Sequence, residues 1–323
     1  MSAAASAAPA PGIRLRGLRK RYGPRVALAG VDLELEGPGL VGVVGPDGAG
    51  KTTLLRCLAG LLEVEADEAT VLGLALRGDV RELKARIGYV PQVFGLQREL
   101  SVAENLAFTA RLHRLDPQAW RPRAAELLAR TGLAPFADRP AGALSGGMKQ
   151  KLAISNALLT QPEVLLLDEP TAGVDVVARG EIWELLEERR AATLILLSTS
   201  YLEEADACEK LVYLDEGRVI AFGAPAELRA GVPLELYRAW AEDPRATARE
   251  ARALPWVASA RASGRFVRVE VDRARSPGAE RVLEGLRSLP GHPASVAEPA
   301  PIDMETTLLA LARRGPGRRQ EPR

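Results

Sequence analysis

Residues 45–52 read GPDGAGKT and fit the pattern G-x-x-x-x-G-K-[ST] between two informative neighbours. Upstream, LVGVVG is a continuous apolar run suited to a buried parallel strand, and downstream TTLLRCLAGLLE has helical spacing. Strand, glycine loop and helix in that order mark a phosphate cradle. Glycines let the backbone curl until successive N–H groups face one anion at the positive end of a helix. Lys51 adds a mobile charge for the β- and γ-phosphates, and the Thr52 hydroxyl suits Mg²⁺. Gly45, Pro46, Asp47, Gly48, Ala49, Gly50, Lys51, Thr52 and Thr53 are therefore expected to bind a nucleoside triphosphate.

A second stretch, VLLLDEP at residues 164–170, buries four apolar residues and releases Asp168 at the strand's C-terminal edge, where open α/β sheets place ligands. There Asp168 is expected to hold Mg²⁺, directly or through water, and Glu169 to polarise an attacking water as general base. Alone this is an ordinary strand end; paired with the loop at Gly45 it points to triphosphate hydrolysis. TLILLST (193–199) is another buried run, and LVYLDEGRVIAFG reads as a hairpin turning near Glu216-Gly217. Ser101-x-x-Glu104 has the form of a capping box opening a helix. Strands alternating with helices imply a mostly parallel sheet covered on both faces.

From about residue 229 Arg and Ala dominate. WVASARASGRFVRVEV reads as two strands around Ser263-Gly264, with Val267, Val269 and Val271 on one face. Val282, Leu283, Leu286 and Leu289 form a helical stripe, and METTLLALARR a last helix. The expected division is a tail at 1–12, a large domain at 13–228, a small α/β domain at 229–315 and a frayed basic tail at 316–323.

The chain has 323 residues, 47% hydrophobic and 26% charged, with net charge +1, which excludes a nucleic-acid or membrane partner held by bulk charge. Cys57 and Cys208 lack metal-ligand spacing, as in a reduced, cytoplasmic chain. MSAAASAAPAPG has neither basic n-region nor apolar h-region, so it reads as a tail and not a signal peptide. No apolar run approaches the roughly 20 residues that span a bilayer; work at a membrane would need another polypeptide.

Between the two phosphate-site motifs lies LSGGMKQK, residues 144–151. With it the sequence resembles the ATP-binding subunits of ABC transporters over about residues 13–228. The resemblance implies a P-loop NTPase fold of ABC type with a helical signature subdomain at about 93–155, plus the small C-terminal α/β domain. It implies ATP and Mg²⁺ as ligands, a second ATP-binding subunit as partner, and a transmembrane permease that holds the chain at the inner face of the membrane. Ser145, Gly146, Gly147 and Met148 match the signature that meets the nucleotide of the opposite subunit. Tyr22 in KRYG matches the aromatic that stacks on adenine, though a lone tyrosine there is more often structural. Gln92 in YVPQVFGL matches the glutamine linking Mg²⁺ and water to the helical subdomain, and Asp175 a loop that contacts the partner. The wording around Gln92 and LSGGM is similar to exporters with separate ATPase and permease chains.

Two positions depart from the family. Met148 replaces a glutamine, a variant tolerated in that exporter branch. Ser200 stands where the family has a histidine that bonds the γ-phosphate, and His113 and His292 lie elsewhere in the sequence. A serine offers one neutral donor and cannot become cationic; losing one such contact typically costs ~2.7–4 kcal/mol, or ~10²–10³ in rate. Slow hydrolysis at this chain's own site is expected, together with either a homodimer or pairing with a different ATPase that has the histidine. Ser200-x-x-Glu203 also has capping-box form, so the serine is expected to start the next helix as well. A second class of function, a soluble ABC switch on ribosomes or DNA, is opposed by the single cassette and the lack of a coiled-coil insert or basic patch. The C-terminal domain is compatible with a dimerisation or regulatory role, or with a stabilising cap.

Overall fold

The computed structural model describes residues 11–314. Two compact units divide at residue 226, the second ending at 313. The tail expectations for residues 1–10 and 315–323 fall outside the described residues.

The first unit opens with a long hairpin, β1 (Pro11–Tyr22) and β2 (Arg25–Glu36). Pro11 and Gly12 thus belong to a strand and not to the tail expected from composition. The Gly12 carbonyl accepts the Leu72 N–H, and a Cβ on Gly12 would lie 2.8 Å from Leu194, so a small residue is needed there. β3 (Gly39–Val44) is buried along its whole length and leads through the glycine loop into α1 (Lys51–Leu58). The helix stops short of LLE because Gly60 turns left-handed (φ 64°). There the Leu61 and Gly60 N–H groups close back on Arg56 and Cys57, a Schellman stop.

β4 (Glu68–Val71), β5 (Leu74–Ala75), α2 (Arg81–Arg86) and β6 (Ile87–Val90) follow. Next come three helices, α3 (Val102–Leu112), α4 (Pro117–Arg130) and α5 (Gly146–Leu158). α3 begins with the expected Ser101–Glu104 capping box, both of its hydrogen bonds present. The chain then returns through β7 (Val164–Asp168), α6 (Val176–Arg189), β8 (Leu194–Thr199), the short α7 (Leu202–Ala205), β9 (Lys210–Asp215) and β10 (Arg218–Gly223).

Two sheets result. One has order β10-β9-β3-β8-β7-β6, parallel except for β10, and the other is antiparallel with order β2-β1-β4-β5. α1 contributes Leu54, Leu55 and Leu58 to one core with Ile13, Leu15 and Leu28 of the antiparallel sheet and Val43, Leu166 and Leu196 of the parallel sheet. Burying a residue such as Leu166 stabilises by about 2–3 kcal/mol. The loop before α1 is thereby anchored on both sides.

The second unit contains α8 (Pro225–Ala230), which begins one residue earlier, then β11 (Leu234–Trp240), α9 (Pro244–Ala251), β12 (Val257–Ser263) and β13 (Phe266–Asp272). α10 (Ala279–Arg287), β14 (Val296–Ala300) and α11 (Met304–Arg314) complete it. Its antiparallel sheet, order β12-β13-β11-β14, buries Val267, Val269 and Val271 against Ala248, Ala251, Val282 and Leu286. On the other side of β13, Arg268 bonds Asp303 and Thr306, and Glu270, 1% exposed, pairs with Arg313 and Arg261.

Candidate active site

The glycine loop is shaped by its backbone. Gly48 and Gly50 have φ of 81° and 107°, and a Cβ on Gly50 would lie 2.6 Å from the Ala27 carbonyl. Only glycine fits that angle and that approach. Lys51, 6% exposed, folds back so that Nζ donates to the carbonyls of Gly45 (2.7 Å) and Pro46 (3.2 Å). A cleft of about 380 Å³ opens over the loop, lined by Tyr22, Arg25, Ala27, residues 47–53, Gln92 and Glu169. Tyr22 is 43% exposed there, leaving a ring face available for stacking.

Asp168 is fully buried at the end of β7. Its Oδ1 accepts from Thr52 Oγ1 (2.9 Å) and Ser198 Oγ (2.8 Å), whereas Oδ2 is buried without a hydrogen-bond partner. A buried carboxylate oxygen left unpaired is costly. Beside a threonine hydroxyl, it makes a set of hard oxygen donors of the kind Mg²⁺ prefers, so these residues fit that ion. Burial pushes the nearby Tyr89 phenol up, against the pull of Arg56 and reinforced by the charge of Asp168, which keeps the hydroxyl neutral.

Glu169 follows with φ 50°, a left-handed conformation rare for a residue with a side chain. Its N–H donates to Ser198 Oγ (2.9 Å), which supports the turn. Its carboxylate takes Gln92 Nε2 on Oε2 (2.8 Å) and Ser200 Oγ on Oε1 (3.1 Å). Ser200 is therefore not the helix cap expected from its spacing to Glu203. Tyr201 occupies the N-cap position of α7, no side chain caps that helix, and the serine hydroxyl is turned to Glu169 instead. The helix begins one residue later than that spacing implies, so Ser200 precedes the cap position and its hydroxyl donates to the charged carboxylate.

The structure brings Tyr22, Asp47 to Thr53, Gln92, Asp168, Glu169 and Ser200 together around the one cleft. Ser145, Gly146, Gly147 and Met148 are at a different place. Ser145 N-caps α5 by accepting from Met148 N (3.3 Å), and a Cβ on Gly147 would lie 3.4 Å from Asp175 Oδ2. Asp175 itself caps α6 through Ala178 N (3.0 Å). Arg25, Ala27, Ser198 and Glu204 are absent from the motifs read in sequence. The polar run Ser198-Thr199 ending a buried strand was the available signal for Ser198. Arg25 sits in the cleft only because β1 and β2 pair as a hairpin.

This arrangement, a glycine cradle and lysine beside a carboxylate pair at the C-terminal edge of a parallel sheet, defines a nucleoside-triphosphate-binding domain of P-loop type. Residues 28–172 match the family model described as "ABC transporter". The "Daunorubicin resistance ATP-binding protein DrrA3" of Streptomyces coeruleorubidus is 42% identical over 68% of this chain and 70% of its own length. The "Probable multidrug ABC transporter ATP-binding protein YbhF" of Escherichia coli is 40% identical over 85% of this chain, which spans 48% of that protein, about half its length. A solved "ATP binding subunit of ABC transporter" superposes with a TM-score of 0.62 at 29% identity, covering 68% of this chain and 92% of its own. The chain belongs to the ABC transporter family, as an ATP-binding domain.

Proposed function

We propose that this chain powers an export-type membrane transporter by binding and hydrolysing ATP as one of two ATP-binding subunits, held at the inner face of the membrane by a separate permease. The observation that carries the reading is the Glu169 carboxylate, gripped by Gln92 and Ser200 at the edge of the cleft, beside the buried free oxygen of Asp168. The backbone N–H groups of residues 47–53 take the phosphates together with Lys51, which leaves the carbonyls of Gly45 and Pro46, and Tyr22 stacks on the adenine. Thr52 and Asp168 hold Mg²⁺, which when bound neutralises charge on the phosphates. Glu169 accepts a proton from water that Gln92 and Ser200 help to orient. Because Ser200 supplies a neutral donor where the resembling proteins have histidine, turnover at this site is slow.

The residues around Ser145 and Asp175 lie away from the chain's own cleft, which supports their use on a second subunit's nucleotide. A groove of about 250 Å³, lined by Val90, Leu96, Leu112, His113 and Asn156 among others, lies between β6, α3 and α5. Val93 and Leu112 are 73% and 68% exposed beside it, an apolar rim suited to the permease. Similarity to relatives named for multidrug, daunorubicin and Nod factor handling supports export. Residues 226–313 act as a stabilising or dimer-supporting unit.

Glu169→Gln tests the assignment. The variant should bind a fluorescent ATP analogue as tightly as the native chain, lose Mg²⁺-dependent phosphate release, and accumulate as an ATP-bound dimer in light scattering. Retained phosphate release would remove Glu169 from the base role.

A further inference from the structure

The Glu204 side chain is a buried carboxylate outside the cleft, 4% exposed, on the short helix α7. A charge removed from water persists only where hydrogen bonds and a counter-charge compensate it. Here Oε1 accepts from Thr171 Oγ1 at 2.5 Å and Oε2 from Thr199 Oγ1 at 2.6 Å, with both threonines 2% exposed. Arg179 Nε stands 3.9 Å from Oε1, and its guanidinium lies over the Tyr201 ring, 4.4 Å from the centroid. Thr199 Oγ1 in turn accepts the Tyr201 N–H at 2.9 Å.

These partners bracket one contact. Thr199 immediately precedes Ser200, whose hydroxyl bonds Glu169 Oε1, and Thr171 comes two residues after Glu169. Arg179 is one turn beyond Asp175, in the helix that Asp175 caps. One carboxylate therefore pins the segment carrying Ser200 to the segment carrying Glu169, and reaches the helix that begins at Asp175. A hydrophobic residue of similar size could fill this space at no desolvation cost, but it could not hold two hydroxyls at fixed positions.

We infer that Glu204 is a positioning residue that sets the Ser200–Glu169 contact and couples it to the loop of residues 170–175. This rests on the assignment of Glu169 and Ser200 to ATP hydrolysis. The inference predicts that loosening Glu204 frees both segments at once, and that its effect on turnover passes through Ser200.

Three variants of the full-length chain, Glu204→Gln, Ser200→Ala and their combination, are compared by ATP turnover and by amide hydrogen exchange. Thr171→Val, which keeps the shape and removes one hydroxyl, serves should Glu204→Gln fail to fold. In Glu204→Gln, exchange should quicken in both residues 169–175 and 198–204, kcat should fall about fivefold, the loss expected of the Ser200 contact itself, and the KM for ATP should change less than about twofold. The double variant should be no slower than Glu204→Gln alone, since coupled residues are not additive. Thr171→Ser should restore native exchange and turnover, in contrast to Thr171→Val. Faster exchange confined to 198–204, or rate losses that multiply in the double variant, would overturn the inference. Should the native chain release no phosphate, the hydrolytic assignment fails by itself, and the exchange of the two segments still decides whether Glu204 joins them.

Discussion

Ser200→His probes the proposal that a serine in this position slows hydrolysis. In the structure Glu169 is held by one neutral hydroxyl donor at 3.1 Å and one amide donor at 2.8 Å. Ser200 is exposed, so water competes for its bond, and deleting it as Ser200→Ala should cost about 1 kcal/mol, roughly fivefold in kcat. An imidazole is longer, offers a second nitrogen and can carry charge, so it can hold Glu169 and a terminal phosphate together. Restoring one preorganised donor to a hydrolytic site is worth ~10²–10³ at best. A surrounding shell shaped around serine lowers that, and an increase of about 10–100-fold in kcat is expected, with the KM for ATP little changed. The assay is phosphate release by the transporter reconstituted in vesicles, with fluorescent-nucleotide binding as the control for folding. Unchanged turnover in a variant that still binds nucleotide would refute the argument that the serine limits hydrolysis.

Gly50→Ala should destabilise the chain by about 2–4 kcal/mol and abolish nucleotide binding, because φ 107° is closed to alanine and the Cβ would strike the Ala27 carbonyl. A urea midpoint equal to the native one would contradict this. Burial pushes both thiols, Cys57 and Cys208, up to about 12. A thiol reagent should therefore label neither at neutral pH until the protein unfolds; stoichiometric labelling of the native chain would show the core to be open. Burial raises the Asp303 carboxyl, but the Thr306 N–H and the Arg268 guanidinium outweigh it and hold it below the ordinary value. Its contribution is thus complete above about pH 4 and lost as pH falls through the lower folded value. In Arg268→Met, hydrogen exchange across residues 234–272 should accelerate at a higher pH than in the native chain; coincident acid transitions would remove Asp303 from the account.

Much of the site was legible because its chemistry is local. GPDGAGKT carries its own turn geometry, VLLLDEP its own buried strand, and Ser101 and Glu104 their own cap, each within eight residues. The hairpin at Glu216-Gly217 and the strand pair at Ser263-Gly264 were readable for the same reason, since positive φ at a turn is written in residue type. The antiparallel sheet was not separable from the parallel one, because β1 and β4 pair across more than forty residues and alternation alone names no neighbour.

The sequence by itself determined that this chain cradles a triphosphate, sets two carboxylates at a strand end and belongs among the ATP-binding cassettes, since those properties reside in short runs of residues. The tertiary structure alone decided how those runs meet. Thr52 and Asp168 are 116 positions apart yet share a hydrogen bond, and that contact leaves one buried oxygen free to face a metal ion. Ser200 is the clearest case. Its spacing to Glu203 favours a helix cap, but the folded helix begins one residue later, after Tyr201, and the fold brings the Glu169 carboxylate within 3.1 Å of the serine hydroxyl, which donates to it.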